Sequence, residues 1–163
     1  MVSGGAGDDR IDGDAGRDVL DGGSGNDKML GGTDNDLLRG STGHDVLNGG
    51  SGNDTLTGGT GNDSLTGGLG EDVFIFTAPV GSAVEYDSIT DFQPGQDMID
   101  LSGVARSIVW MGSSRFTGDG RAEMRVQEYS NRTRLLIDTD GDGDSDLVID
   151  VHGGTFSPFD LLF

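Results

Sequence analysis

Eight nine-residue stretches follow one another without insertion or slip: GGAGDDRID (4–12), GDAGRDVLD (13–21), GGSGNDKML (22–30), GGTDNDLLR (31–39), GSTGHDVLN (40–48), GGSGNDTLT (49–57), GGTGNDSLT (58–66) and GGLGEDVFI (67–75). The first position is always Gly. The sixth is always Asp: Asp9, Asp18, Asp27, Asp36, Asp45, Asp54, Asp63 and Asp72. The eighth is always apolar: Ile11, Leu20, Met29, Leu38, Leu47, Leu56, Leu65 and Phe74. Gly-Gly and Asn-Asp pairs are ordinary turn chemistry when met singly. A flexible glycine-rich linker would explain the composition but not the fixed phase of aspartate and apolar residue.

The repeat specifies a coil. Glycine accepts positive φ without steric cost, so six Gly-rich residues can form a tight turn with inward-pointing carbonyls, and three more suffice for a short strand with one side chain facing in. Two nonads then complete one coil, and turns two nonads apart stack at the interstrand spacing of about 4.8 Å. A calcium ion, with oxygen ligands at about 2.3–2.6 Å, fits midway between such turns. One Asp carboxylate from each turn, completed by turn carbonyls, gives the all-oxygen shell that a hard cation prefers. The carbonyl donors expected are those of Gly5, Gly7, Gly22, Gly23, Gly25, Gly31, Gly32, Gly40, Gly43, Gly49, Gly50, Gly52, Gly58, Gly59 and Gly61. Eight turns paired in this way give about six sites. Carboxylates stacked about 5 Å apart repel by roughly 1 kcal/mol per pair in water and by several times more at an effective dielectric of 20, so the cation-free chain is expected to be disordered. Asp14 and Ser41 stand where the second Gly belongs and Asp34 where the fourth does, which is expected to weaken the turns around Asp18, Asp36 and Asp45.

This nonad resembles the G-G-x-G-x-D-x-U-x calcium-binding repeat of repeats-in-toxin proteins, with U a large apolar residue. The resemblance covers nearly half the chain and implies a parallel β-roll.

Composition is consistent with this origin of the acidity. The 163 residues carry 29 acidic against 10 basic side chains, a formal net charge of -19, with 31 glycines and 33% apolar residues. Such a charge repels nucleic acid and anionic membranes. The absence of cysteine excludes disulfides, and no run of 18 apolar residues exists to span a bilayer. Met1-Val2-Ser3-Gly4-Gly5 lacks the basic and apolar regions of a cleavable secretory signal. Export, if it occurs, needs another address.

Beyond Ile75 glycine thins out and β-branched and aromatic residues cluster. Strands are predicted at 73–77, 87–92, 98–101, 108–111, 121–129, 133–138 and 147–151, with at most a short helical stretch near 157–161. The fold class is therefore all-β: a parallel β-roll of nonapeptide repeats over residues 4–75, followed by a β-rich, sandwich-like C-terminal cap over residues 76–163. The stretch DSITDFQPGQDMIDLS (87–102) is similar to the segment that follows the repeats in serralysin-type metalloproteases and in the repeat modules of mannuronan C-5-epimerases. That likeness implies a cap on the open end of the roll, with Asp97 or Asp100 as a further calcium ligand; the alternative is that they are turn and strand-end acids. Asp138, Asp140, Asp142 and Asp144 match the opening of an EF-hand loop, but the twelfth position is Ile149 where a bidentate Glu is expected. An acidic hairpin turn is the first reading and an additional calcium loop the second.

No catalytic motif is present. His44 and His152 form no H-E-x-x-H, no G-x-S-x-G elbow occurs, and Lys28 is the single lysine. His44, at the variable fifth position, is expected to be exposed. The terminal Asp160-Leu161-Leu162-Phe163 following Phe159 looks like the uncleaved C-terminal signal of type I secretion substrates, with a buried terminal strand as the competing reading. Together these readings describe a non-catalytic, calcium-triggered folding and secretion module, extracellular and linked to an N-terminal domain of a larger exported protein. Its expected partners are calcium and the type I secretion machinery. The rival readings are a module that binds an anionic polysaccharide such as alginate, through Arg10, Arg17, Arg39, Arg121, Arg125, Arg132 and Arg134, and a piece of a surface adhesin.

Overall fold

The structure, a computed structural model, describes residues 1–80, 84–105, 108–111, 114–154 and 160–163, without the side chain of Trp110. The predicted helical stretch near 157–161 therefore falls largely outside the described residues. Two sheets face each other across one core. The first runs β1 (Val2–Ala6), β3 (Val19–Ser24), β5 (Leu37–Thr42), β7 (Thr55–Thr60), β9 (Val73–Thr77), β11 (Met98–Gly103) and β16 (Leu161–Leu162), each parallel to the next. The second begins with β2 (Arg10–Asp12), β4 (Lys28–Thr33), β6 (Val46–Ser51), β8 (Ser64–Leu69) and β10 (Glu85–Ile89), also parallel. It continues through β15 (Leu147–Val151), β14 (Thr133–Asp138) and β13 (Glu123–Glu128) to β12 (Val109–Trp110).

Strands in the roll pair with a constant offset of 18 residues, as Leu20 with Leu38 and Leu38 with Leu56, so one coil is two nonads. The strands are longer than the three residues expected. Each of β3 to β8 has six, from the seventh position of one nonad to the third of the next. The reason lies in the inward face. Along Val19–Ser24 the buried positions are Leu20 and Gly22, so both the eighth-position apolar residue and the first-position Gly point inward. The inner side chains of the two sheets form a single apolar cluster that runs from Ile11 through Leu20, Leu38, Leu56 and Phe74 into Ile89, Ile99, Leu135, Ile149 and Leu161.

The β-rich second half is built on the same two sheets and extends each. β9 straddles residue 75, β11 stacks on β9, and β10 stacks on β8. Among the described residues, antiparallel pairing is confined to the far end of the second sheet, through β13, β14 and β15. Where the roll meets the second half, Phe92 lies near Phe74 with ring centroids 6.3 Å apart.

Candidate metal ladders

Sixth-position aspartates form two ladders, one along each edge of the stack. In each, a carboxylate Oδ1 accepts the backbone N–H of the aspartate one coil earlier: Asp9 donates to Asp27, Asp27 to Asp45 and Asp45 to Asp63 on one edge, and Asp18 donates to Asp36, Asp36 to Asp54 and Asp54 to Asp72 on the other, at 2.7–2.8 Å. From Asp27 onward these residues are buried; Asp9 and Asp18, in the first coil, are less so. The ladders do not stop at the repeat. Asp63 donates to Asp87 (2.9 Å) and Asp72 to Asp97 (3.0 Å).

The other oxygen of each carboxylate has a different fate. Oδ2 of Asp9, Asp27, Asp36, Asp45, Asp54, Asp63 and Asp72 is buried with no hydrogen-bond donor. An orphaned buried carboxylate oxygen costs about 1–3 kcal/mol or more, so seven of them demand a ligand. Each lies over the first-position Gly of its own nonad. At Gly22, Gly31, Gly40 and Gly49 the same point is also approached by the carbonyl oxygen of the first-position Gly one coil later, respectively Gly40, Gly49, Gly58 and Gly67. A side chain at the first position would occupy that oxygen-lined notch. The donor set, anionic and carbonyl oxygens without nitrogen or sulfur, fits a hard divalent cation such as calcium and suits no soft metal.

Among the other glycines named from the sequence, Gly5, Gly7, Gly23, Gly25, Gly32, Gly43, Gly50, Gly52, Gly59 and Gly61 hold positive φ in the turns. The carbonyls of Gly7, Gly25 and Gly43 face the equivalent glycine of the next coil. The three departures from pattern obey the same rule: Asp14, Asp34 and Ser41 stand at φ of 63°, 78° and 83°. The N–H of Asp18 still donates to the Asp36 carboxylate and that of Asp27 to the Asp45 carboxylate, so these turns keep their ladder bonds at the cost of left-handed strain, about 1–2 kcal/mol per residue.

From Asp36 onward, burial raises the carboxyl pKa of the ladder aspartates. Asp45 and Asp72 are pushed up to about 6 and Asp87 to about 7, first by desolvation and then by neighbouring carboxylates, against the lowering effect of the backbone N–H each accepts. Asp36, Asp54, Asp63 and Asp97 shift the same way for the same leading reason.

The acids of the second half divide. Asp97 caps one ladder and Asp87, which sequence reasoning missed, caps the other. Asp91, also missed, accepts the N–H groups of Gly67 and Gly68. Asp100 stands outside the ladders and accepts the N–H of Ser102 in a local turn. The loop of Asp138, Asp140, Asp142 and Asp144 joins antiparallel β14 to β15, which is the hairpin geometry. Carboxylate oxygens of Asp138, Asp140 and Asp146 lie within 4.8 Å of one another, but Asp138 is satisfied by Gly141 and Gly143 N–H, and Asp146 by Thr139. Asp142 and Asp144 are exposed. His44 has a role that its exposure hides: a second ladder joins the fifth positions, in which the N–H of His44 donates to Asn26 and its Nδ1 accepts from Asn62.

A family model described as the peptidase M10 serralysin C-terminal family matches residues 3–163. The chain belongs to this family. It is 29% identical over 77 residues to Serralysin G of Dickeya chrysanthemi, covering 47% of this chain and 16% of that protein. The fold is similar to two solution structures of subunits from the Azotobacter vinelandii mannuronan C5-epimerase. The R3 subunit matches at 28% identity with TM-score 0.54, over 96% of this chain and 79% of its own length. The R2 subunit matches at 29% with TM-score 0.56, over 98% and 90%. The chain spans 16% of the length of that serralysin.

Proposed function

We propose that this module is a non-catalytic calcium-binding unit that folds when calcium enters the two aspartate ladders, and that it serves the export and extracellular folding of a larger protein. The orphaned Oδ2 atoms carry the reading, because seven buried anionic oxygens without donors are hard to reconcile with any state lacking cations. Calcium would supply the positive charge that lets these carboxylates stack, held by Oδ2 of the sixth-position aspartates and by carbonyls of the first-position glycines. The chain's own residues do the rest: Oδ1 fixes each carboxylate to the preceding coil, and the glycines leave the space open. An ion that binds only the folded chain stabilises it by about 2.7 kcal/mol per site at a hundredfold excess over Kd, which makes folding follow the calcium level of the compartment. An apo chain is then export-competent where calcium is scarce and folds where it is abundant. Far-ultraviolet circular dichroism tests this: coil in chelator and β-structure in millimolar calcium are expected, and equal β-content in both refutes it.

A second reading, binding of an anionic polysaccharide, is favoured by one surface feature. A cleft of about 430 Å³ at the β13–β14 turn is lined by Tyr129, Asn131, Arg132 and Gly153, with the Arg132 guanidinium 4.8 Å from the Tyr129 ring centroid. An exposed aromatic ring beside a guanidinium suits a uronate sugar, and the related epimerase acts on mannuronan. Against it, Arg132 and Arg134 are already paired with Asp150, the latter through two bonds of 2.7 and 2.8 Å. Titration of alginate oligomers into the calcium-loaded protein decides: saturable binding lost in Arg132→Ala supports this reading, and no heat or shift excludes it.

A further inference from the structure

The C-terminal strand meets the end of one ladder through a short chain of contacts. Asp97 holds the last rung with both oxygens, Oδ1 accepting Asp72 N–H and Oδ2 accepting Gln93 N–H at 2.8 Å. The turn between Gln93 and Asp97 is clipped to the last nonad by Gln93 Nε2, which donates to the Gly68 carbonyl at 2.7 Å. At the tip of that turn Gly95, with φ of 78°, donates its N–H to the carboxylate of Asp160 at 3.1 Å. Asp160 is 5% exposed and leads directly into β16, where Leu161 pairs with Ile99 and enters the common core. Docking the tail thus brings a third carboxylate, Asp160, toward Asp91 and Asp97, which already repel each other.

Resting on the calcium reading above, we propose that the C-terminal residues Asp160–Leu162 form a calcium-linked latch, in which docking of β16 and cation binding at the Asp72–Asp97 rung strengthen each other. Two opposed contributions make the coupling. The Asp160 side chain and the Leu161 strand pairing fix the turn that presents Asp97, so a docked tail preorganises the rung. The Asp160 charge opposes docking until a cation offsets the carboxylates around it. Linkage requires that the effect be reciprocal: calcium orders the tail, and the tail tightens calcium at that rung. The side chain of Leu161 is accessible while the rung is empty and is withdrawn into the common core when it fills, while Leu162 stays at the surface.

Residue-resolved amide exchange across a calcium series, on the full chain, separates the possibilities. Protection of Met98, whose N–H bonds to the Asp72 carbonyl, reports the end rung, and protection of Val46 and Thr55 reports the middle of the roll. In Leu161→Asp, which undocks the strand, the calcium midpoint at Met98 is expected to rise about tenfold while Val46 and Thr55 keep theirs, a coupling of the ordinary size for linked sites. In Asp160→Asn, which keeps the acceptor for Gly95 and removes the charge, Leu161 becomes protected at lower calcium than in the unaltered chain. An unchanged midpoint at Met98 in Leu161→Asp, or at Leu161 in Asp160→Asn, overturns the latch while leaving the calcium reading intact. Protection independent of calcium throughout the unaltered chain overturns both.

Discussion

Two aspartates of the same nonad array, Asp54 and Asp12, have different fates that follow from a difference of position alone. Asp54 sits on a ladder, accepting from Asp36 and donating to Asp72, with a buried Oδ2 left for a ligand. Asp12, at the ninth position, is exposed and accepts one bond of 3.2 Å from Asp14 two residues on. Asp54→Ala removes the acceptor of a buried N–H, costing about 1–3 kcal/mol, and one charged ligand besides. Its calcium midpoint for folding is expected to rise several-fold, while Asp12→Ala folds at the midpoint of the unaltered chain; coincident midpoints in circular dichroism titrations would contradict the ladder. The residue scale also shows what the sequence concealed. Positive φ at Asp14, Asp34 and Ser41 fits the stacking of neighbouring coils, on one side of Asp14 and on both sides of Asp34 and Ser41, a tertiary demand that single-residue preference cannot express. The fifth-position bond of His44 to Asn62 is hidden for the same reason, because it depends on a neighbour 18 residues away.

At the scale of the element, the roll was legible because its period never slips, so each glycine, aspartate and apolar position had one place to go. The second half was legible as strands: 73–77, 133–138 and 147–151 coincide with β9, β14 and β15. Its packing on the open end of the roll was expected from the resemblance, but the register of that attachment was not legible. Asp87-Ser-Ile-Thr repeats the quartet Asp63-Ser-Leu-Thr, and Asp97-Met-Ile-Asp follows the same pattern, but they lie 24 and 25 residues from their partners rather than 18. Longer turns break the register that the eye follows, while hydrogen bonding needs only the strand end to arrive in place. A fragment ending at Phe76 loses β10 and β11, leaves the Asp63 and Asp72 N–H groups without acceptors, and uncovers Phe74. It is expected to stay unfolded at calcium levels that fold the whole chain, as an array in which each unit contacts only its neighbours frays from an unprotected end. Circular dichroism of that fragment showing the full-chain midpoint would make the second half dispensable for the roll.

Across the whole molecule the ladders dominate the response to pH, and the sign depends on calcium. An acid whose folded pKa lies above its ordinary 3.8 binds more protons when folded. Its contribution to stability is complete below about 3.8 and is lost as pH rises through the folded values, about 6 for Asp45 and Asp72 and about 7 for Asp87. In chelator, lowering the pH from 7.5 to 4.5 is therefore expected to increase β-structure. In calcium the same change is expected to raise the midpoint, since protons compete for the same oxygens. Circular dichroism at both pH values with and without calcium checks both signs, and a chelated chain that loses β-structure on acidification would contradict the burial of these carboxylates.

One consequence of the stacking concerns force. The first strand β1 lies at one end of the first sheet and β16 at the other, with every intervening strand running across the line that joins them. Pulling on the two termini loads the bonds between neighbouring coils one row at a time, as in opening a zipper, instead of shearing them together. Each coil released adds 18 residues of slack, roughly 55 Å of contour after subtracting the coil's own rise. An optical trap is expected to record a staircase of such steps beginning at the exposed β1 end, with step force rising with calcium. Run backwards, each coil that closes would take up 18 residues of slack, a pull supplied by the free energy of cation binding.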